Sequence, residues 1–342
     1  MRLAFFGTPE FAIPSLAKLS EAGHRILMVV SQPDKPRGRG LKVIATSTKA
    51  WALAHDIPVF QPPKLNTDEV KQRLAALKPE VIAVAAYGKI LPTWILDLPR
   101  YGALNVHASL LPKYRGAAPI PWAIIRGEGS SGVTIMQIDP GMDTGDILLQ
   151  KAVAIGPYMT GGELHDQLAV LGADLLIQAL EELPQGKLHP IKQDKALATM
   201  APMLHRDDGK ISWKNVAGDI HNLVRGLCPW PGSCTYWQGQ PLHIWKTDLI
   251  SVRAHEPAAT SGGQILEIGA GGIVVACGQG TLLRLLELQL PSRKRLPVHE
   301  FINGVKLQVI AKLPSVVMIV RAKIFLHGSA RTSRAGQKWI IC

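Results

Sequence analysis

Two side chains that can respond to a developing charge stand two residues apart in the segment NVHASLLPKYRG, residues 105–116. Asn105 offers the neutral donors of an amide, and His107 can exchange a proton near neutral pH. If the segment begins as a β-strand, residues i and i+2 point to the same face, so both side chains flank one small volume. Such a pair suits a reaction in which a carbonyl oxygen gains negative charge while an attacking nitrogen loses a proton.

A candidate carboxylate partner lies in MQIDPGMDTGDILL, where aspartates alternate with glycines that indicate a tight loop. A carboxylate near His107 would orient the ring and stabilise its charge. Asp143 lies deepest in the loop and is the predicted partner, ahead of Asp139 and Asp146. Taken alone, a histidine at a strand end is more commonly structural, Asn105 could be a turn former, and Asp-Pro-Gly is an ordinary turn. The combination favours a catalytic role.

The elements that must position these side chains alternate between strands and helices. Near-continuous apolar runs such as RLAFFG, RILMVVS and VIAVAAYG predict buried strands, and helix-like segments separate them. This order predicts an α/β fold with a doubly wound, mostly parallel, Rossmann-like sheet in residues 1–189. The carboxyl end of the strand GALNVHA would then face the crevice in which open α/β sheets bind ligands.

A second domain is predicted where the composition changes. Prolines and lysines replace the apolar periodicity across residues 190–206, which we interpret as a linker. A predicted helix and short strands punctuated by glycine follow, and they indicate a small antiparallel, OB-like β-barrel in residues 207–311. Residues 312–342 continue neither pattern and predict a loosely ordered basic tail. Either an RNA-binding extension or an altered terminus fits the composition of that tail.

Charge and composition restrict the class of protein. The formal charge of +12 favours a polyanionic partner such as nucleic acid, although six basic residues of the tail carry half of the excess. The four cysteines show no C-x-x-C spacing, which is typical of reduced thiols in a cytoplasmic protein. The start, MRLAFFGTPEF, makes a poor signal peptide. No apolar run approaches the roughly 18 residues that span a bilayer, so we expect no membrane association. As a separate expectation, the protein is a monomer.

The motifs N-x-H-x-S-L-L-P and D-x-x-x-D-T-G-D together resemble those of the formyltransferases that use 10-formyltetrahydrofolate. The resemblance covers about residues 1–310 and is strongest to the members that act on an aminoacyl-tRNA. It implies transfer of the formyl group of 10-formyltetrahydrofolate to the amine of methionine on initiator tRNA, for translation initiation. The matching blocks are FFGTPEFAIPSL, SQPDKPRGRGLK, HASLLPKYRGAAPIPWAI and IHNLVRGLCPWPG.

The resemblance also implies roles for individual residues. Asn105, His107 and Asp143 fall on the family's catalytic positions. The folate is expected against SLLP and the YGKIL backbone, the tRNA acceptor end against the basic loop PDKPRGRGLK, and no metal ion is required. The expected folate contacts are Gly88, Ile90, Leu91, Ser109, Leu110, Leu111 and Pro112, and the expected tRNA contacts are Arg37, Arg39 and Lys42.

Two alternative functions remain open. A formyltransferase that acts on a small amine, such as a nucleotide sugar or glycinamide ribonucleotide, would share the Asn, His and Asp set. The basic loop and the second domain argue against it, because a small acceptor requires neither. An RNA-binding relative that has lost activity is the other alternative, and the intact Asn105, His107 and Asp143 argue against that one.

Overall fold

The structure, a computed structural model, describes residues 1–37, 42–250, 261–305 and 313, with only the backbone of Arg37 and Lys42. An α/β domain comes first, and a domain built on an antiparallel sheet follows. The strands of the first domain are β1 (Arg2–Gly7), β2 (Arg25–Val30), β3 (Lys35–Arg37), β4 (Lys42–Ile44), β5 (Val59–Phe60), β6 (Val81–Ala85), β7 (Ala103–His107), β8 (Ser130–Gln137) and β9 (Ile147–Ala154). Its α-helices are α1 (Ile13–Glu21), α2 (Ser47–Ala54), α3 (Asp68–Leu77), α4 (Thr93–Leu96), α5 (Pro119–Ile125) and α6 (Gly161–Glu182).

Seven of these strands form one sheet in the order β5-β2-β1-β6-β7-β8-β9. The first five strands are parallel to one another, and only the pairs of β8 with β7 and with β9 are antiparallel, so the predicted mostly parallel sheet is confirmed. Alternate residues of β1 show why its sequence is apolar throughout. Leu3 and Phe5 pack into a core that contains residues of α1 and α6, whereas Ala4 and Phe6 pack into one that contains residues of α3 and α4. Helices therefore cover both faces of the strand.

Helix α6 packs against β7. It begins with a capping box, in which Thr160 and Glu163 satisfy each other's backbone donors. Farther along, Gly172 lies against the sheet so closely that a Cβ atom there would be 2.5 Å from Cγ1 of Val106. Val106 lies between Asn105 and His107, so this contact restrains the position, relative to α6, of the strand that carries both side chains.

The second domain consists of an antiparallel sheet and two helices. Its strands pair in the order β10-β11-β14-β13-β12, and β15 pairs with Glu287 and Leu288 of β14. All of these pairs are antiparallel. Trp213 is fully buried in its core. The predicted antiparallel architecture is confirmed, and closure into a barrel stays a prediction. The elements are α7 (Ala217–Gly226), β10 (Ser233–Trp237), β11 (Gln240–Ile250), β12 (Ile265–Gly269), β13 (Gly272–Ala276), β14 (Leu282–Gln289), β15 (Leu296–Pro297) and α8 (Val298–Gly304).

The segment predicted as a linker, residues 190–206, is attached to the first domain. Ile191 forms a bridge with Ile147, and Met200 forms one with Arg115. Pro202 accepts a hydrogen bond from Trp122 Nε1 at 2.8 Å. The segment is therefore fixed along the surface of the first domain, while the predicted domain boundaries themselves stay predictions.

The basic loop and the tail are described only in part. Instead of an irregular loop, β3 and β4 form an antiparallel ribbon that pairs Lys35 with Ile44 and Arg37 with Lys42. Residues 38–41, which include Arg39, lie outside the described residues, and so does the predicted tail apart from the buried Leu313. Within the described ranges, no helix is long and apolar enough to cross a membrane.

The contact between α6 and β7 yields a test of packing. Gly172→Ala should lower the free energy of unfolding by about 1–3 kcal/mol, because the new methyl group would overlap the buried, β-branched Val106. Helix propensity alone predicts the opposite sign, a gain of roughly 1 kcal/mol. Urea denaturation measures the difference. Gly218→Ala in α7, where an added Cβ meets nothing within 4 Å, is the matched control and should be neutral or stabilising. A stabilised Gly172→Ala protein would contradict the close packing.

Candidate active site

The predicted pair Asn105 and His107 lies at the carboxyl end of β7. Strand β7 is parallel to β6, with Val106 opposite Ala85, so both strands end at the same edge of the sheet. His107 is the last residue of β7 and is 5% exposed, and Asn105 is half-buried. Among the described residues, none forms a hydrogen bond with the Asn105 side chain. Its amide donors are therefore available to a ligand.

The two ring nitrogens of His107 have different surroundings. Nε2 lies 3.0 Å from the carbonyl oxygen of Tyr114, and a carbonyl oxygen only accepts, so Nε2 carries a hydrogen and donates. Nδ1 is then the nitrogen that can exchange a proton, and it lies 3.7 Å from Oδ1 of Asp143. That separation is longer than a direct hydrogen bond, and it suits a contact that shortens in the complex or that one water bridges.

The structure places Asp143, rather than the other two aspartates of its loop, beside His107. Oδ2 of Asp143 accepts from the Gly116 N–H at 2.8 Å, which aims Oδ1 at the ring. Asp139 instead accepts from Gly141 N and Thr144 Oγ1 and so stabilises the local turn.

The backbone on both sides of this carboxylate contact is conformationally demanding. Asp143 has a φ of +51°, a left-handed conformation that costs a non-glycine residue about 1 kcal/mol or more. Gly116 has a φ of +115°, and a Cβ atom there would lie 2.8 Å from the Ala201 carbonyl oxygen. The conformation of Asp143 must therefore be held by hydrogen bonds from its surroundings.

The segment after β7 is held by a threonine that the sequence analysis did not identify. Thr134 Oγ1 donates to the Ser109 carbonyl at 2.7 Å and accepts from Leu111 N at 3.1 Å. Gln150 Nε2 donates to the same hydroxyl and to the Leu111 carbonyl, both at 2.8 Å. The Ser109 hydroxyl donates to the Lys113 carbonyl at 2.6 Å and closes the turn. Thr134 lies in the middle of β8 and belongs to no recognisable sequence motif.

The two leucines of SLLP, both expected to contact the folate, differ in their environments. Leu111 is buried in a small cluster with Met136 and Ile147, so its side chain has a packing role that the sequence did not indicate. Leu110 is half-buried and lies over Gly132, where an added Cβ would meet its Cδ2 at 2.5 Å. Leu110, Ser109 and the half-buried Pro112 follow β7 directly, and their predicted contacts with a folate stay predictions.

The second predicted folate segment follows β6 at the same edge of the sheet. The Tyr87 carbonyl accepts from Thr8 Oγ1 at 3.0 Å and from Gln32 Nε2 at 3.2 Å, so the segment is attached to the ends of β1 and β2. After it come Gly88, then Ile90, which is 66% exposed, and then the buried Leu91. Gly88 and Ile90 therefore lie where a ligand could reach their backbone, whereas the Leu91 side chain belongs to the core.

Tyr114 anchors the backbone that holds His107. Burial raises the pKa of Tyr114 to about 12, and the hydrogen bond from its hydroxyl to Glu128 at 2.8 Å adds to the shift. The same hydrogen bond is the largest cause of a lowered pKa at Glu128, to which Lys113 also contributes. The phenol stays protonated and the carboxylate charged, so the anchor is intact across the physiological range.

Two further polar residues missed from the sequence lie behind Asp143. Gln193 Nε2 donates to the carbonyls of Asp143 at 2.9 Å and Gly145 at 2.7 Å. The buried Arg115 donates to Gln193 Oε1 from Nε at 3.0 Å and Nη2 at 2.7 Å. No local pattern could have joined these residues, because Gln193 is 50 positions from Asp143 in the chain.

The remaining predicted residues concern RNA and metals. Arg37 and Lys42 pair in the described part of the ribbon, and the predicted Arg39 lies outside the described residues. Over the ranges that the structure describes, no group of three or more His, Cys, Asp or Glu side chains could hold a metal ion.

Fold and sequence together place the chain in a class of proteins. Residues 1–180 match the Formyl transferase family, and residues 203–306 match the Formyl transferase C-terminal domain. The chain therefore belongs to the formyl transferase family, which confirms the resemblance seen in its motifs.

Within this family the chain is similar to bacterial proteins named methionyl-tRNA formyltransferase. It is 48% identical to that of Acetivibrio thermocellus over 90% of this chain and 97% of the relative. The identity to that of Acidobacterium capsulatum is 49%, over 89% of this chain and 96% of the relative. Among solved structures, WlaRD, a sugar 3N-formyl transferase, has a TM-score of 0.61 at 19% identity and covers 86% of this chain and 99% of its own. The N-formyltransferase from Helicobacter canadensis has a TM-score of 0.61 at 20% identity, with coverages of 83% and 98%.

The hydrogen bonds of Thr134 yield a second prediction. Thr134→Val keeps the shape of the side chain but leaves buried polar groups of Ser109, Leu111 and Gln150 without this partner, so it should destabilise the protein by about 1–3 kcal/mol. Thermal unfolding measures the loss. The control is Thr93→Val, at an exposed position where no described residue bonds the hydroxyl, and it should stay within about 0.5 kcal/mol of the parent. Equal stability of the two variants would contradict the assigned role.

Proposed function

We propose that this protein transfers the formyl group of 10-formyltetrahydrofolate to the amino group of methionine esterified to initiator tRNA. The observation that carries the proposal is the 3.7 Å distance between His107 Nδ1 and Asp143 Oδ1. His107 lies on β7, the strand that also presents the Asn105 amide. Membership of the formyl transferase family supports the reaction. Identity of 45–49% to proteins named methionyl-tRNA formyltransferase, over nearly the whole of each relative, supports the acceptor.

The geometry suits attack by an amine on a formyl carbon. A C–N bond forms between the amine nitrogen and that carbon, and the carbonyl electron pair moves onto the oxygen. The Asn105 amide and a protonated His107 Nδ1 would donate to this oxyanion, and the His107 side chain is itself buried. The bond from carbon to N10 of the folate then breaks, the carbonyl re-forms, and N10 receives a proton.

Proton movement is the task assigned to Asp143. The attacking amine must lose one proton overall, and N10 must gain one, so the reaction needs a group that relays a proton without being consumed. Asp143 is 18% exposed in its side chain and lies beside Nδ1, so it can accept the proton directly or through a water. Its charge also stabilises the imidazolium while the oxyanion exists.

The donor and the acceptor rest on different support. Two similar folds were solved with 5-N-formyl-THF and with folinic acid, which supports a folate donor beside SLLP and the segment after β6. The first is named a sugar 3N-formyl transferase and the second was solved with dTDP-3-aminofucose, but both are only 19–20% identical to this chain. The basic residues in the segment of β3 and β4, of which Lys35 is exposed, favour an RNA acceptor over a small amine, because cations bind phosphates. The cytoplasmic location and monomeric state predicted above stay predictions.

The direct experiment is a formylation assay with competing acceptors. Purified protein, 10-formyltetrahydrofolate and methionyl initiator tRNA should yield formyl-methionyl-tRNA, measured by mass spectrometry after deacylation. A dTDP-linked amino sugar and glycinamide ribonucleotide, each in large excess, should neither compete nor become formylated. Formylation of either small amine in preference to the tRNA would replace the proposed acceptor, and tRNA binding without any formylation would identify an inactive relative.

Removal of either partner of the proton-transfer pair should cost activity rather than stability. We expect His107→Ala and Asp143→Ala each to lower kcat by about a hundredfold, equivalent to roughly 3 kcal/mol of transition-state stabilisation. Steady-state formylation measures the effect. The surface pair His165 and Asp166, whose Nδ1 and Oδ1 atoms are 2.9 Å apart, is the matched control, and His165→Ala and Asp166→Ala should retain full activity. Near-full activity of the two site variants would remove them from the mechanism.

Arg39 should matter for the tRNA alone. Arg39→Ala should raise KM for the methionyl-tRNA by about tenfold and reduce its dependence on salt, while KM for the folate stays unchanged. Kinetics at several salt concentrations separate the two substrates. Arg100→Ala is the matched control, because Arg100 is exposed near the start of β7, at the edge of the sheet opposite the site. An unchanged KM for the tRNA would remove Arg39 from the interface.

A further inference from the structure

We infer that Gln193 is a positioning residue, which holds Asp143 beside His107, where the carboxylate can relay a proton and stabilise the imidazolium. Residues 190–206, predicted as a linker, are then part of the active-site structure. The inference rests on the proposed function, because it concerns the same proton transfer.

The Gln193 side chain uses its full hydrogen-bonding capacity on the loop and its support. Both donor positions of the amide nitrogen are directed at the loop, to the carbonyls of Asp143 at 2.9 Å and Gly145 at 2.7 Å. The amide oxygen accepts twice from the Arg115 guanidinium, at 3.0 and 2.7 Å. An amide with four such contacts is fixed in orientation, and no other residue type has two donors and an acceptor at this reach.

Asp139 stabilises the turn that precedes Asp143, but the strained backbone of Asp143 itself needs further support. Asp143 is left-handed, with a φ of +51°, and Gly141 and Gly145 stand two residues away on either side. Glycine gives a chain many accessible conformations, so external bonds must select one of them. The two bonds from Gln193 hold the backbone at Asp143 and at Gly145, two residues farther along the chain. The Gly116 N–H holds the Asp143 carboxylate at 2.8 Å.

Three consecutive residues join both halves of the proton-transfer pair. The Tyr114 carbonyl accepts from His107, the Arg115 side chain holds Gln193, and the Gly116 N–H donates to Asp143. The linker holds this tripeptide in turn, since Arg115 N donates to the Thr199 carbonyl at 2.8 Å and Ala201 N donates to the Arg115 carbonyl at 2.7 Å. A displacement of Gln193 would therefore move Asp143 relative to the ring.

The test uses two substitutions at Gln193 and one matched control. Gln193→Leu removes all four hydrogen bonds. Gln193→Glu keeps the acceptor for Arg115, but its carboxylate cannot donate to the two loop carbonyls, so it decides the question even if the leucine variant does not fold. Gln185→Leu is the control, because exposed Gln185 bonds only the Glu181 carbonyl on its own helix end. All three are measured for kcat, KM of both substrates and melting temperature.

A positioning role predicts loss of kcat with little change in binding. A misplacement of about 1 Å at the reacting groups costs up to roughly a hundredfold, so we expect kcat to fall at least about tenfold in both Gln193 variants. KM for each substrate should stay within about twofold, and Gln185→Leu should match the wild type. Wild-type kcat in Gln193→Glu would overturn the inference.

A double-mutant cycle separates positioning from a general structural role. If Gln193 acts through Asp143, adding Gln193→Glu to Asp143→Ala should cause no further loss of kcat. If the two losses multiply in full, Gln193 does not act through Asp143 and the inference is overturned. A wild-type protein that forms no formyl-methionyl-tRNA would refute the proposed function instead, so the two failures are distinguishable.

Discussion

The site depends on one constraint, which is that a buried histidine has only one ring nitrogen left for chemistry. The Tyr114 carbonyl occupies Nε2 of His107, so Nδ1 alone faces Asp143. A carbonyl partner does not titrate, and it holds the ring in one orientation whatever the charge on Nδ1. Tyr114 is itself anchored by a hydrogen bond to Glu128 that persists at neutral pH. The orientation of the ring therefore does not depend on the ligand.

The architecture around this ring brings distant segments to one edge of the sheet. Strand β7 delivers Asn105 and His107, and β8 delivers Thr134, which fastens the turn after β7. Gly172 of helix α6 packs closely against Val106, so the strand cannot move toward the helix. In the loop that follows β8, hydrogen bonds from Gly116 and Gln193 hold Asp143. Rigid strands thus supply the imidazole and the amide, whereas a loop held by polar contacts supplies the carboxylate.

The two domains meet through a polar contact near the start of α6. Arg225 of α7 donates to the carbonyls of Gly156 and Met159, at 3.1 and 3.0 Å, and His221 Nε2 lies 2.9 Å from the Pro157 carbonyl. Burial lowers the pKa of His221, so this histidine is neutral at physiological pH and its contact needs no charge. Together with the attachment of residues 190–206, these bonds fix the second domain beside the catalytic one.

Local pattern determined the strand and helix order and the mostly parallel sheet, because apolar periodicity reports which faces are buried. It also put Asn105 and His107 on one face and made Asp143 the preferred carboxylate, since strand period and loop position are local properties. Only the tertiary structure could join Thr134 to Ser109, or Gln193 to Asp143, across 25 and 50 residues. It also buried Leu111, expected at the folate, against Met136 and Ile147, and it turned the basic loop into a ribbon. A hydrogen bond between remote segments depends on where the packed sheet brings each backbone, and no spacing within the sequence contains that information.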